Sequence, residues 1–257
     1  MWCLTLLRAL SRHVSSITQA LLLAARDLRD RVDRLRFVPP VTHVYNPLGY
    51  AWTTYEAYLR KYATGRKRVL FLGMNPGPFG MVQTGVPFGD VASVRDWLQL
   101  GSIAIHQPWR NHPQRPVTGF ACLRPEVSGQ RLWGLFAARF GTPERFFSNH
   151  LVLNYCPLAF LERSGRNRTP DKLPKSESAP LFAACDGHLR AVAAAIQPHW
   201  LIGIGRFARE RIEKVFPKPG SEVGQILHPS PASPAANRNW AALATRQLEE
   251  IGAWAPG

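Results

Sequence analysis

Apolar residues near the start of the chain recur at intervals of three, four and seven: Leu4, Leu7, Leu10, Val14, Ile17, Leu21, Leu28, Val32 and Leu35. That is the period of one face of an α-helix, and arginines occupy much of the other face. Asp27, Asp30 and Asp33 argue against a transit peptide. The pattern predicts a helix packed on the core, closed by Pro39-Pro40. Four later apolar runs are short and bounded like buried strands: Val69–Leu72, Leu151–Leu153, Trp200–Ile204 and Gln225–Leu227. Helix-like segments lie between them, at Gln130–Phe140, Leu181–Ile196 and Phe207–Phe216, and Ala235–Ile251 follows the last. Strands alternating with helices predict an α/β fold, its four-stranded parallel sheet covered on both faces. The expected organisation is an N-terminal amphipathic helix region, 1–36, and one further domain, 37–257.

Each run ends in unusual chemistry. The first enters GMNPGPFGMVQTGVPFGD, Gly73 to Asp90, a stretch without Lys, His or Cys. The second enters Asn154-Tyr155-Cys156-Pro157, the third Gly203-Ile204-Gly205-Arg206, and the fourth His228-Pro229-Ser230-Pro231. The carboxyl ends of parallel strands share one edge, where ligands bind. Asn75, Asn154 and His228 are therefore expected to converge. Two amides and an imidazole make a hydrogen-bonding pocket with little fixed charge. Phe79 and Phe88 supply ring faces for stacking, worth about 1–3 kcal/mol per base. A planar heterocycle such as a nucleobase fits these groups.

Charge points the same way. The formal net charge is +15 over 257 residues, so a polyanion is the first partner to consider. Cys3, Cys122, Cys156 and Cys185 are scattered and lack metal-site spacing. They read as reduced thiols, which places the expected location in the cytoplasm, on the nucleoid if the source is bacterial. No apolar stretch has the length of a membrane span, and no membrane partner is expected.

GMNPGPFGMVQTGVPFGD, LNYCPL at Leu153–Leu158 and HPSP at His228–Pro231 closely resemble the single-strand-selective monofunctional uracil-DNA glycosylases, a branch of the uracil-DNA glycosylase superfamily. VYNPLGYAW at Val44–Trp52, EVSG at Glu126–Gly129 and SGRNRTP at Ser164–Pro170 extend the resemblance over roughly Phe37 to Ile251. The resemblance implies a three-layer α/β/α fold and removal of uracil and 5-modified uracils such as 5-hydroxymethyluracil from DNA. It implies no cofactor and no metal. It assigns Asn75 to orienting the attacking water and His228 to stabilising the departing base. Phe88 stacks on the flipped base and Asn154 reads its edge. Gly77, Phe79, Gly80 and Met81 match the segment contacting C5 of the ring, with Met74 beside them. DNA contacts are expected from Pro229, Ser230, Pro231, Ala232, Arg238, Arg163, Arg166 and Arg168. The family usually carries a wedging Arg where this chain has Ala232, so weaker action on paired than on single-stranded DNA is expected. No lysine lies in the three main motifs, which disfavours a Schiff-base mechanism.

Taken singly, Asn75 reads as a turn residue, His228 as structural and the two phenylalanines as core. Three motifs at three strand ends reverse that weighting. A monomeric enzyme acting on single- and double-stranded DNA is the leading expectation. A glycosylase preferring deaminated purines (xanthine or hypoxanthine) and a non-catalytic binder of single-stranded or damaged DNA are the alternatives.

Overall fold

The computed structural model describes residues 15–218 and 220–256. Helix α1, Ser16–Val32, is capped by the Ser15 side chain, which accepts from the Thr18 N–H. Leu21, Leu22, Ala25, Leu28 and Val32 are buried in the main core, so the described part of the N-terminal region shares that core. Leu4, Leu7, Leu10, Val14 and Cys3 lie outside the described residues.

Strand β1 (Val41–Tyr45) is followed by α2 (Pro47–Tyr50), α3 (Trp52–Tyr62) and β2 (Val69–Gly73). The glycine-proline stretch then carries α4 (Met81–Thr84) and a π-helical turn, Ser93–Trp97. Helices α5 (Val127–Phe140) and α6 (Pro143–Phe147) lead to strands β3 (His150–Asn154), β4 (Ala159–Glu162) and β5 (Asn167–Arg168). Helix α7 (Lys175–Ile196), β6 (Trp200–Ile204), α8 (Arg206–Val215), β7 (Glu222–Ile226) and α9 (Ala236–Glu250) complete the order.

The central sheet has four parallel strands in the order β3-β2-β6-β7. Every residue of β2, β3 and β6 is buried, which requires cover on both faces and explains their unbroken apolar character. The fourth strand begins at Glu222 rather than near Gln225. It is an edge strand with an exposed-to-buried pattern, so its first residues carry no continuous apolar signal. A second sheet, β1-β4-β5, is antiparallel and small. Among the described residues no helix is long and apolar enough to cross a membrane.

Aromatic packing fixes the element nearest the site. The rings of Phe136 and Phe146 stack at 4.2 Å, and Trp133 meets Phe146 edge-on at 6.1 Å. Trp133, Phe136 and Phe146 are almost wholly buried. Each such side chain contributes about 1.5–3 kcal/mol of transfer free energy. Together they hold α5 against the sheet, and its first turn then borders the loops that follow β2.

Candidate active site

A cavity of about 350 Å³ opens at the carboxyl edge of the parallel sheet, lined by Met74, Asn75, Gly77, Pro78, Met81, Phe88, Glu126, Ser128, Asn154, Asn167, Thr169, His228 and Ser230. That is within the size range of small-ligand pockets. Asn75 stands just beyond β2, Asn154 ends β3, and His228 stands just beyond β7. The strand ends bring the three together as the topology requires.

Asn154 is paired in register with Gly73. Its Nδ2 donates to Met81 Sδ at 3.3 Å, while its Oδ1 is buried without a partner. The Met81 sulfur, an acceptor, sets which way the amide faces. Gly73 makes room for the arrangement: a Cβ there would overlap both Asn154 Oδ1 and the edge of the Phe88 ring. Phe88 has a φ of +53°, left-handed backbone that costs a bulky residue of order 1–3 kcal/mol. Trp133 Nε1 donates to its carbonyl at 3.1 Å and helps hold it.

Asn75 Nδ2 donates to the Leu158 carbonyl at 3.2 Å. Only a donor can face that carbonyl, so the amide oxygen is left to accept from another group. His228 Nδ1 accepts from the Ser230 N–H at 3.1 Å. In the neutral ring the proton must then sit on Nε2. Burial pushes the His228 pKa down to about 4, so the neutral donor form prevails at physiological pH. The Phe88 ring lies 6.0 Å from the imidazole, tilted by 42°.

Phe79 does not line the cavity. Its ring lies under the Arg124 guanidinium at 4.3 Å and the Arg115 guanidinium at 5.4 Å, so cation–π contacts occupy it outside the pocket. Gly80 is also absent from the lining; it packs against the Glu126 side chain. Arg168 is engaged by Glu162 at 3.0 Å and by the Lys172 carbonyl at 2.6 Å. Pro229 is buried. Arg163, Arg166, Arg238, Pro231 and Ala232 are exposed, and Ser230 reaches the cavity. Arg131 braces the loop by donating to the Pro229 carbonyl at 3.0 Å and to Asn237 Oδ1 at 2.9 Å. Lys67 is buried at the other end of β2, its ammonium on the Phe147 carbonyl.

Glu126, Ser128, Asn167 and Thr169 also line the cavity. They belong to EVSG and SGRNRTP, neither of which follows one of the four apolar runs. Burial raises the Glu126 pKa, against the backbone N–H groups of Phe79, Gly80 and Ser128, which lower it; Asp90 adds to the rise.

The parallel α/β sheet thus brings an oriented amide, a neutral imidazole donor and an aromatic face to one cavity. The Uracil DNA glycosylase superfamily model matches residues 60–251. The single-strand selective monofunctional uracil DNA glycosylase of Bos taurus is 45% identical over 239 residues, spanning 92% of this chain and 88% of that protein. The Rattus norvegicus protein of the same name is 45% identical over 227 residues, 88% of this chain and 81% of its own. The crystal structure of SMUG2 from Pedobacter heparinus superposes with a TM-score of 0.61 at 17% identity, over 90% of this chain and 97% of that one; it shows the shared fold. The chain belongs to the uracil DNA glycosylase superfamily, in its single-strand selective monofunctional branch.

Proposed function

We propose that the protein is a monofunctional uracil-DNA glycosylase that draws uracil into this cavity, hydrolyses the N-glycosidic bond and leaves an abasic site. The observation that carries the reading is the Asn154 amide, whose Oδ1 has no partner, lining one cavity with a neutral His228. A buried acceptor without a donor is costly. Uracil supplies that donor as N3–H, and its O4 accepts from Nδ2. Cytosine would set an acceptor, its N3, against Oδ1 and leave the cost in place.

The remaining groups follow the reaction. Phe88 offers its face to the ring. As the C1′–N1 bond breaks, its electron pair stays with the base and negative charge spreads to O2. The Nε2–H of His228 donates to that oxygen, a preorganised dipole where charge develops. A water oriented by Asn75 Oδ1 forms the new bond to C1′, and its proton is lost to the base or solvent. An amide does not titrate usefully, so Asn75 positions rather than deprotonates. That suits a dissociative step in which the nucleophile arrives late.

The same pocket accepts 5-modified uracils such as 5-hydroxymethyluracil, since Gly77 on its wall adds no side chain of its own. Arg163, Arg166 and Arg238 contact phosphates, with the amino end of α9 nearby. Ala232 is too short to wedge into a stack, so the unstacking cost of a paired target, a few kcal/mol, is less well offset.

Purified protein incubated with oligonucleotides holding one uracil tests this. Free uracil and an alkali-labile site are expected, faster from single-stranded than from paired substrate. Tight DNA binding with no base released would contradict the enzyme, and equal rates would contradict the role given to Ala232.

A further inference from the structure

One rim of the cavity carries charge that no acidic side chain offsets. Pro78 lines the cavity, and the ring of the next residue, Phe79, lies outside it under two guanidinium groups, Arg124 at 4.3 Å and Arg115 at 5.4 Å. Among the described residues neither arginine pairs with a carboxylate. Arg115 Nη1 donates to the Gln114 carbonyl at 2.8 Å, and its Nε is buried without a partner. The carboxyl nearest to Arg124 in sequence, Glu126, packs against Gly77 and Gly80 instead. A ring face attracts cations, yet two cations on one ring repel each other, and no protein anion offsets that repulsion.

The loops that carry these groups are fixed to the cavity. Gln83 Nε2 donates to the Pro78 carbonyl at 2.9 Å and to the Pro116 carbonyl at 3.1 Å, and its Oε1 accepts from the Thr118 and Gly119 N–H groups. Gly165 packs on Gln114 and Arg115, where a Cβ would lie 3.1–3.3 Å from their side chains, so the exposed Arg163 and Arg166 continue the basic rim. The strand end beneath Pro78 is that of β2; the one beneath His228 is that of β7, two places along the sheet, roughly 10 Å away. We propose that Arg115 and Arg124, held on the Phe79 ring, form a phosphate clamp for the DNA strand entering the cavity, on the side away from the 228–232 loop. The inference deepens the proposed function and rests on it for the identity of the polyanion as DNA. Ring-stacked guanidinium groups are already confined, so they lose less conformational freedom on taking a phosphate than free arginines do. The clamp needs no penetration of a base stack, which suits a single-stranded substrate.

Binding of a single-stranded oligonucleotide without uracil, titrated across a salt series, tests the clamp independently of catalysis. Wild type is compared with Arg115→Ala, Arg124→Ala, the double Ala variant, the double variant Arg115→Lys with Arg124→Lys, and Arg190→Ala. Arg190 is exposed beside Gln197, Pro198 and Ser221, at the amino edge of the sheet, and serves as the control. Each lost phosphate contact should flatten the dependence of log affinity on log salt by about 0.7, hence by about 1.4 in the double Ala variant. At about 50 mM salt that variant should bind about tenfold more weakly or worse. The Lys pair, which keeps both charges, should hold the wild-type slope, and so should Arg190→Ala. A double Ala variant that is folded by circular dichroism and keeps the wild-type slope overturns the clamp. So does an equal change in Arg190→Ala, which would make the attraction a diffuse effect of net charge. If the double Ala variant unfolds, the single variants decide by the same criterion. Uracil release at saturating enzyme should change by less than about threefold, since neither arginine lines the cavity. A wild type that binds with a slope the Ala variants flatten but releases no uracil refutes the proposed function and leaves the clamp standing.

Discussion

Acidification separates a neutral His228 from an ordinary surface histidine by a large margin. Burial lowers its pKa to about 4, against about 6.5 for a free imidazole. The direction matters: a lowered histidine pKa keeps the ring uncharged as pH falls, until the medium approaches the lowered value. At pH 5.5 a group with pKa about 4 is still about 97% neutral, whereas one at about 6.5 is only about 9% neutral. The Ser230 N–H on Nδ1 fixes the same tautomer throughout. Single-turnover excision of uracil from a single-stranded oligonucleotide should therefore change little between pH 7.5 and 5.5. The loss should come with an apparent pKa well below 6. Circular dichroism at each pH shows whether the enzyme assayed is folded. A folded enzyme whose rate falls about tenfold by pH 5.5, with a midpoint near 6.5, would refute the reasoning: His228 would then be solvated, and its neutral form would not be a product of the pocket.

Two further outcomes rest on packing and linkage. Gly73→Ala places a Cβ against Asn154 Oδ1 and the Phe88 ring; it should lower the uracil excision rate at least tenfold, and a rate within twofold of wild type would show that both side chains can yield. His150, His188 and His228 are all pushed to about 4 by burial, so below pH 6.5 the unfolded chain binds protons that the native state refuses. Denaturant titration should show a loss of about 4 kcal/mol between pH 7.5 and 5.5, and a flat profile would contradict the burial of these rings.

The parts of the fold that could be read in advance are those where one physical cause dominates. Strands β2, β3 and β6 are buried on both faces, so Val69–Leu72, Leu151–Leu153 and Trp200–Ile204 stand out as apolar runs. Because the strands are parallel, their ends had to share an edge, and Asn75, Asn154 and His228 meet there. Where burial is partial the signal fades: β7 starts at Glu222 because an edge strand tolerates a charged first residue. The antiparallel sheet was not legible. Its pairing joins Val44 to Phe160 across more than a hundred positions, and β5 is only Asn167–Arg168. Phe79 illustrates a different limit. An aromatic residue in a loop shows its size but not its direction, and here two arginines hold it outside the cavity. Glu126 is the converse, a carboxyl hidden in a pocket whose other lining is mostly uncharged. In sequence Arg168 resembles its exposed neighbours Arg163 and Arg166; only the ion pair with Glu162 sets it apart.

On the proposed mechanism this cavity breaks the bond between uracil and its sugar through Asn75 and His228. The most direct measurement is uracil release from a single-stranded oligonucleotide by wild type, Asn75→Ala and His228→Ala, each checked for fold by circular dichroism. Wild type should release free uracil, and the His228 variant should be about 100- to 1,000-fold slower, as for the loss of a preorganised donor. The Asn75 variant should also lose most of its rate. Folded variants that release uracil as fast as wild type would contradict the account and move the chemistry away from these residues.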